Sequence, residues 1–234
     1  MSAIMRRELS AYFTSPIGYI FLSVFYIFAG FFFFTGTLVS SSTDMTGVFS
    51  GLSTITMFLI PILTMRLMSE DKKQKTDQAL LTAPLNLFSL VLGKFLAALI
   101  VFAMGLVITV VFAATVSFFA APDWAVVFGN FVGSLFYGSA LISIGLFISS
   151  LTENQMIAAV GSFAVMIALN LIDAVASLMP NQFLQDLVLG ISFYQRYTDF
   201  TTGIFNFANI IFFLSVCAVF LFLTTRVLEK RRWS

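Results

Sequence analysis

FLAALIVFAMGLVITVVFAATVSFFAAP, residues 95–122, runs its whole length without a charged side chain. About 20 consecutive apolar residues cross the hydrocarbon core of a bilayer, so this stretch by itself predicts a membrane span. Working outward, further charge-free windows cover 9–43, 45–65, 124–152, 154–172 and 200–225. Inside the six windows the sequence predicts helices at about 17–39, 47–68, 88–119, 125–150, 155–177 and 205–226. Unpaired backbone groups are costly in lipid, which leaves helices or closed barrels as spanning structures. These runs are too long and too continuously apolar for barrel strands that alternate in polarity.

Composition agrees. Of 234 residues, 59% are hydrophobic and 10% charged, against about 25% charged in soluble domains. A water-facing surface cannot be built from so few charges. The length fits one membrane domain, 1–234, and leaves no room for a separate soluble enzyme. The chain has no His, which removes Ser-His-Asp catalysis and His-ligated metal sites. Its one Cys, Cys217, lies in an apolar run and reads as a small buried hydrophobe. We therefore expect no catalytic residues, no metal and no cofactor in this chain, and the net charge of +1 gives no reason to expect nucleic acid. The first apolar run begins near Ile17, after a polar and basic start without a small-residue cleavage site, so it is expected to stay as a helix and not to be removed as a signal peptide.

Orientation follows from Lys and Arg, which accumulate on the cytoplasmic side. Arg6 and Arg7 precede the first predicted helix; Arg66, Lys72, Lys73, Lys75 and Lys94 lie at or between the second and third; Arg226, Lys230, Arg231 and Arg232 follow the last. With six spans these three groups share one side, and only Arg196 falls opposite. Both termini are thus expected in the cytoplasm. Asp44, Asp123, Asp186 and Asp199 fall in loops of the other side, and Asp173, near the outer end of the fifth helix, looks into water or into the bundle.

Between the spans, residues 1–14 form a predicted interfacial helix. Ile4, Met5, Leu9, Tyr12 and Phe13 make one face, and Arg6, Arg7 and Glu8 the other. Pro16 separates it from the first span, and Pro61 is expected to kink the second. Gly129 and Gly133 make a GxxxG pair that permits close approach of helices. The loop 178–204 carries a periodic apolar piece (Phe183, Leu184, Leu187, Val188, Ile191) that reads as one or two short helices, either lying on the surface or dipping into the outer leaflet.

The inner loop, 69–87, lies within SEDKKQKTDQALLTAPLNLFSLVLGK, residues 69–94. Thr76 is a predicted N-cap for a one- to two-turn helix over about 77–81, and Pro84 ends it. Such a helix either lies solvated at the membrane surface or transmits force to a soluble partner.

Several stretches together resemble the permease subunit of type-2 ABC transporters, near the gliding-motility-type and nitrous-oxide-reductase-maturation-type permeases. They are RRELSAYFTSPIGYI (6–20), KTDQALLTAP (75–84) followed by VLGKFLAALIVF (91–102), ISSLTENQ (148–155), and FYQRYTDFTTGIF (193–205) through to LEKRRWS (228–234). In the wider family the inner loop often reads G-T-x-E-x-L-L. Here Lys75 and Gln78 replace the Gly and the Glu, which leans toward the gliding-motility-type branch and removes the carboxylate from that position.

The resemblance implies an exporter-like machine in a bacterial cytoplasmic membrane. Two permease copies, or this chain and a related permease, would pair in the lipid over two cytoplasmic ATPase subunits that bind the ATP and Mg, with room in such systems for an extracytoplasmic auxiliary subunit. The coupling helix would be the stretch from Thr76 to Leu81. Leu80 and Leu81 would anchor it in the ATPase by apolar burial, Thr76 and Gln78 would hydrogen-bond, and Asp77 would lie between them. The inner turn Thr152, Glu153 and Asn154 would add a lesser contact. Independently of the resemblance, the chain has no G-x-x-x-x-G-K-[ST] loop and essentially no ionisable residue between its helix ends, which argues against ion coupling. A stand-alone transporter or channel, and a membrane anchor for an ATPase that moves nothing, remain as the rival readings.

Overall fold

The computed structural model describes residues 2–74, 86–119, 121–201, 203 and 206–232. The chain is all-α, and no strand occurs among the described residues. In order come α1 (Ser2–Thr14), α2 (Pro16–Phe33) continued by a π-helical turn (Phe34–Leu38), α3 (Thr46–Thr64), α4 (Arg66–Lys73), α5 (Leu87–Ser117), α6 (Trp124–Leu151), α7 (Gln155–Ser177), α8 (Gln182–Leu189), α9 (Phe193–Thr201) and α10 (Phe207–Arg232). Among the described residues six units are long and apolar enough to cross a membrane: α2 with its π turn, α3 with α4, α5, α6, α7 and α10. The protein is a six-helix polytopic, multi-pass membrane protein.

Polar residues just before the helices start them. Side-chain oxygens of Asn86, Asp123, Asn154, Asn181 and Asn206 accept from backbone N–H groups two residues on, at 2.9–3.0 Å, which satisfies donors that a helix start leaves without partners. Pro16 opens α2 at the position where its missing N–H costs nothing. The turn from α1 into α2 needs Gly18, because a Cβ there would lie 2.6 Å from the Tyr12 carbonyl oxygen.

The sequence places the second span at about 47–68 with a kink at Pro61. The helix instead runs through Pro61 and is interrupted one turn later, at Met65, before continuing as α4 to Lys73. Charged residues extend it past the apolar window, since Arg66 pairs with Glu70 one turn on at 2.8 Å. In the same way α10 runs to Arg232, beyond the expected end at 226, with Arg226 pairing Glu229 at 2.7 Å. Two short helices, α8 and α9, occupy the segment 178–204.

α6 is the hub. It packs on α3, α4, α5, α7, α9 and α10, and its small residues let them close in. Gly138 faces the Phe102 ring of α5 so closely that any Cβ would overlap it. Gly133 lies against Phe200 of α9, and its expected GxxxG partner Gly129 is also buried. The core is apolar and aromatic, with Phe33 stacked on Phe112 and Phe25 edge-on to Phe102.

Candidate functional site

All described basic residues but Arg196 lie toward one end of the bundle, where α1, α4, the start of α5 and the last turn of α6 meet. At its centre is Lys94, whose side chain is 1% exposed. A lysine in the run LVLGKFLAAL could be expected to snorkel. Here Nζ instead lies 3.0 Å from Glu8 Oε1 of α1 and 2.7 Å from Asp71 Oδ2 of α4, and donates to the Leu67 carbonyl at 2.6 Å. One ammonium carries three donors, and all three are used. Two carboxylates around it leave a buried charge compensated, without which it would be costly.

Arg7 joins the same group. It is bonded to Glu8 and lies 3.8 Å from Asp71. The Glu8 hydrogen bond is the main influence on Arg7; with the charges of Glu8 and Asp71 it outweighs the opposing effect of burial and raises its pKa above the ordinary arginine value. Beside it, the Tyr12 hydroxyl donates to the Leu63 carbonyl at 2.7 Å, and the Arg66 guanidinium sits 5.9 Å over the Tyr12 ring while bonding Ser15 and Glu70. Burial is the main reason that the Tyr12 phenol is held well above its usual titration range.

The second half of the site is the interruption at Met65. Backbone groups freed at a break must find other partners, and one side chain of α6 supplies them. Ser149 Oγ accepts from the Met68 and Ser69 N–H groups at 3.1 and 3.2 Å and donates to the Met65 carbonyl at 2.9 Å. One residue on, the buried Lys72 donates to the Ser150 carbonyl. α4 is thereby held to α6 by polar contacts at both ends.

The expected coupling residues Thr76, Asp77, Gln78, Leu80 and Leu81 lie outside the described residues. What is described is their root. Residue 74 leaves α4 next to Asp71 and Lys72, and residue 86 enters α5 two turns before Lys94. Asp71 and Lys94 are thus a bridge across the base of 75–85, reinforced by Glu8 from α1.

The expected lesser contact, Thr152–Asn154, is the turn from α6 to α7. Glu153 and Asn154 are exposed and Thr152 is half-buried. Thr152 Oγ1 accepts from the Asn154 N–H at 3.1 Å, and Asn154 caps α7. This turn follows Ser149 and Ser150 directly, so it shares an end of the bundle with the root of 75–85. The sequence alone counts Lys94 only among the basic flanks, sets Glu8 on the water-facing side of α1, where the structure instead turns it in to Lys94 with its side chain 13% exposed, and gives Asp71 and Ser149 no role. Its available signal was a lone lysine among apolar residues on a helix, which requires a partner.

No group of three or more His, Cys, Asp or Glu suited to a metal occurs among the described residues. Comparison with protein-family models and with curated proteins gives no match.

Proposed function

We propose that this chain is the permease subunit of an ATP-driven ABC transporter, exporter-like, coupling hydrolysis by a separate cytoplasmic ATPase to movement of a substrate across or out of a bacterial cytoplasmic membrane. The observation that carries the reading is the bridge at the base of 75–85. A segment that receives force from another protein must be rooted so that a push moves whole helices and is not absorbed locally. Asp71 and Lys94 flank this segment and bond each other at 2.7 Å, Glu8 ties Lys94 to α1, and Ser149 and Ser150 tie α4 to α6 through the Ser69 N–H and Lys72.

In this reading Thr76, Asp77, Gln78, Leu80 and Leu81 contact the ATPase, and Thr152, Glu153 and Asn154 touch it at the side. The basic end faces the cytoplasm, with both termini, as the accumulation of Lys and Arg supports. The chain itself is not an enzyme; ATP and Mg belong to the ATPase. A second permease, a copy or a relative, pairs with it in the membrane. The exposed apolar side of α7, where Ile157, Val160 and Leu171 are each more than half exposed, supports room for such a neighbour. An extracytoplasmic auxiliary subunit on the α8–α9 side belongs to the same proposal.

The test is co-purification with an ATPase encoded beside this chain, followed by hydrolysis measured in proteoliposomes. The complex should form, and the permease should change the ATPase rate. Leu80→Asp with Leu81→Asp should abolish that change while the six-helix fold stays intact by circular dichroism. Transport without ATP, or an ATPase rate indifferent to the double variant, rejects the reading.

A further inference from the structure

At the end of the bundle away from Lys94, the π turn of α2, the connection that follows it and the last turn of α5 border a cavity of about 250 Å³. One water needs about 10–15 Å³ of such space, so a larger molecule fits. Phe33 and Val116 belong to its apolar wall, Thr37 lines it from the π turn, and Ser41 and Thr43 bring hydroxyls to its exposed rim. No charged side chain lines it.

Thr37 gives this cavity its chemistry. A threonine inside a helix commonly spends its hydroxyl on the carbonyl four residues back, as Thr35 and Thr115 do at 2.9 Å. Thr37 lies in the wider π turn, where the Val39 N–H bonds the Phe34 carbonyl five residues back at 2.9 Å. Its hydroxyl has no hydrogen-bond partner, although the residue is only 4% exposed. A buried hydroxyl without a partner costs stability, and π turns recur at functional sites. Just beyond the turn, Ser41 has φ 49°, the one positive φ of a non-glycine among the described residues. Backbone strain of that kind clusters at ligand sites.

Depth and charge decide the ligand. From Lys94 to Thr115 on α5 is 21 residues, about 32 Å of helix at 1.5 Å per residue. The hydrocarbon core is about 30 Å thick. With the charged cluster of Lys94 at one boundary, Thr115 and the cavity beside it lie at the other, at the level of lipid glycerol and ester groups. Leu38 and Phe119, 54% and 88% exposed, open the cavity to that leaflet. A lining of hydroxyls without a cation offers nothing to neutralise a phosphate, and Asp44, next to the rim residue Thr43, opposes one. An uncharged hydroxyl matches Thr37 as donor and as acceptor.

We propose that this cavity binds the uncharged, hydroxyl-bearing head of a glycerolipid of the diacylglycerol class, from the leaflet opposite the basic end. The Thr37 hydroxyl bonds the head, and the acyl chains leave past Leu38 and Phe119. The site does not depend on a partner ATPase, since every group in it belongs to this chain.

The test titrates the full chain in detergent with dioctanoylglycerol or, for comparison, dioctanoyl phosphatidylglycerol, and reads bound lipid by native mass spectrometry and stability by thermal unfolding. One dioctanoylglycerol should bind per chain and raise the unfolding temperature as its concentration rises, and the phosphatidylglycerol should bind at least threefold more weakly. Thr37→Val keeps the shape and removes the hydroxyl. It should weaken dioctanoylglycerol about threefold to tenfold, the share of one neutral hydrogen bond, and without lipid it should be no less stable than wild type. Thr37→Ser should keep the binding. Ser41→Gly with Thr43→Ala alters only exposed rim positions, so it carries the test where Thr37→Val fails to fold, and should weaken binding at least threefold. Equal binding of the two lipids would mean unselective lipid contact and would overturn the proposal. So would dioctanoylglycerol binding that neither variant weakens. A folded Thr37→Val that is less stable than wild type without lipid would show that water already satisfies the hydroxyl, and would overturn it as well.

Discussion

At one end of the bundle a lysine is buried between two carboxylates; at the other an arginine is held by neutral groups. Lys94 reaches Glu8, 86 residues away in sequence, and so links α1, α4 and α5. Arg196 donates through Nε and Nη2 to the Gly190 carbonyl and through Nη1 to Asn209 Oδ1 at 3.1 Å, and lies 4.2 Å over the Phe212 ring. Its partners are 6 and 13 residues distant, so it fixes a local connection, α8 to α9 to α10. The difference lies in what each contact joins. The ion pairs of the basic end bind separate long helices into a unit at the base of 75–85, whereas Arg196 shapes its own connection and the neighbouring Tyr197 joins α9 to α6 and α3 only through neutral hydrogen bonds, with Ser134 at 3.0 Å and to the Phe49 carbonyl at 3.4 Å. Lys94 therefore joins α1, α4 and α5 directly, while Arg196 touches only the connection from α8 to α10.

The largest expected effect comes from removing the charge at the centre of the first region. Lys94→Met leaves Glu8 and Asp71 facing each other and the Leu67 carbonyl without its donor. Breaking a buried ion pair from one side costs about 3–5 kcal/mol, so thermal unfolding in detergent should show a marked loss of stability. Lys94→Met combined with Glu8→Gln and Asp71→Asn should recover much of it, because no uncompensated charge remains. A Lys94→Met variant no less stable than wild type would remove the distinction between the two ends.

Ser149→Ala comes next. It deprives the Met68 and Ser69 N–H groups of their acceptor, and leaving a buried group unsatisfied costs about 1–3 kcal/mol each. Water entering from the exposed α6–α7 turn can recover part of this, so we expect about 2 kcal/mol by the same measurement, within that range. Hydrogen exchange should sharpen the comparison: amides of 66–73 should exchange faster in this variant, while those of α9 stay protected. Equal acceleration in both regions would show that α4 is not separately tethered.

Much of this was open to sequence reading, and what was not has a common cause. The spans are set by local composition, since a bilayer requires long charge-free windows and 95–122 or 124–152 can serve no other purpose in so apolar a chain. The collection of basic residues at one end follows from counting spans. The charged extensions of α4 and α10 escaped because hydropathy stops at the first charge, while a helix continues wherever Arg66 can reach Glu70 or Arg226 can reach Glu229. The bridge of Lys94 to Glu8 and Asp71 escaped because it is a pairing across distant segments, and nothing local to Lys94 names its partners. Ser149 lay inside ISSLTENQ, yet its role depends on the break at Met65, which falls one turn after the proline that was expected to cause it.

At the opposite end Arg196→Gln should cost less, about 1–2 kcal/mol, since the guanidinium is only half-buried and hydrogen bonds to charged groups contribute about 1.5–3 kcal/mol when well shielded. Its effect should stay local, with faster exchange in 182–201 and no change near Lys94. An effect of Arg196→Gln that reaches residues 66–73 would mean that the two ends are coupled, and the contrast drawn between them would fail.

The smallest effect tests the edge of the basic-end unit. Tyr12→Phe removes the one hydroxyl that ties α1 to the end of α3, at Leu63, and keeps the ring beneath Arg66. A single neutral hydrogen bond contributes about 0.5–1.5 kcal/mol, and the retained ring limits the change to this term, so about 1 kcal/mol is expected. The direction of the Tyr12 titration supplies a second readout. Its folded pKa is raised by burial, so the folded state favours the neutral phenol; this contribution is complete below the ordinary tyrosine pKa and fades as pH rises above it, toward the folded value. Wild-type protein should therefore lose stability on the alkaline side more steeply than Tyr12→Phe, and the gap between the two should narrow there. A gap that stays constant from neutral to strongly alkaline pH would mean that Tyr12 is open to water, and that α1 lies on the bundle without belonging to the unit that Lys94 holds together.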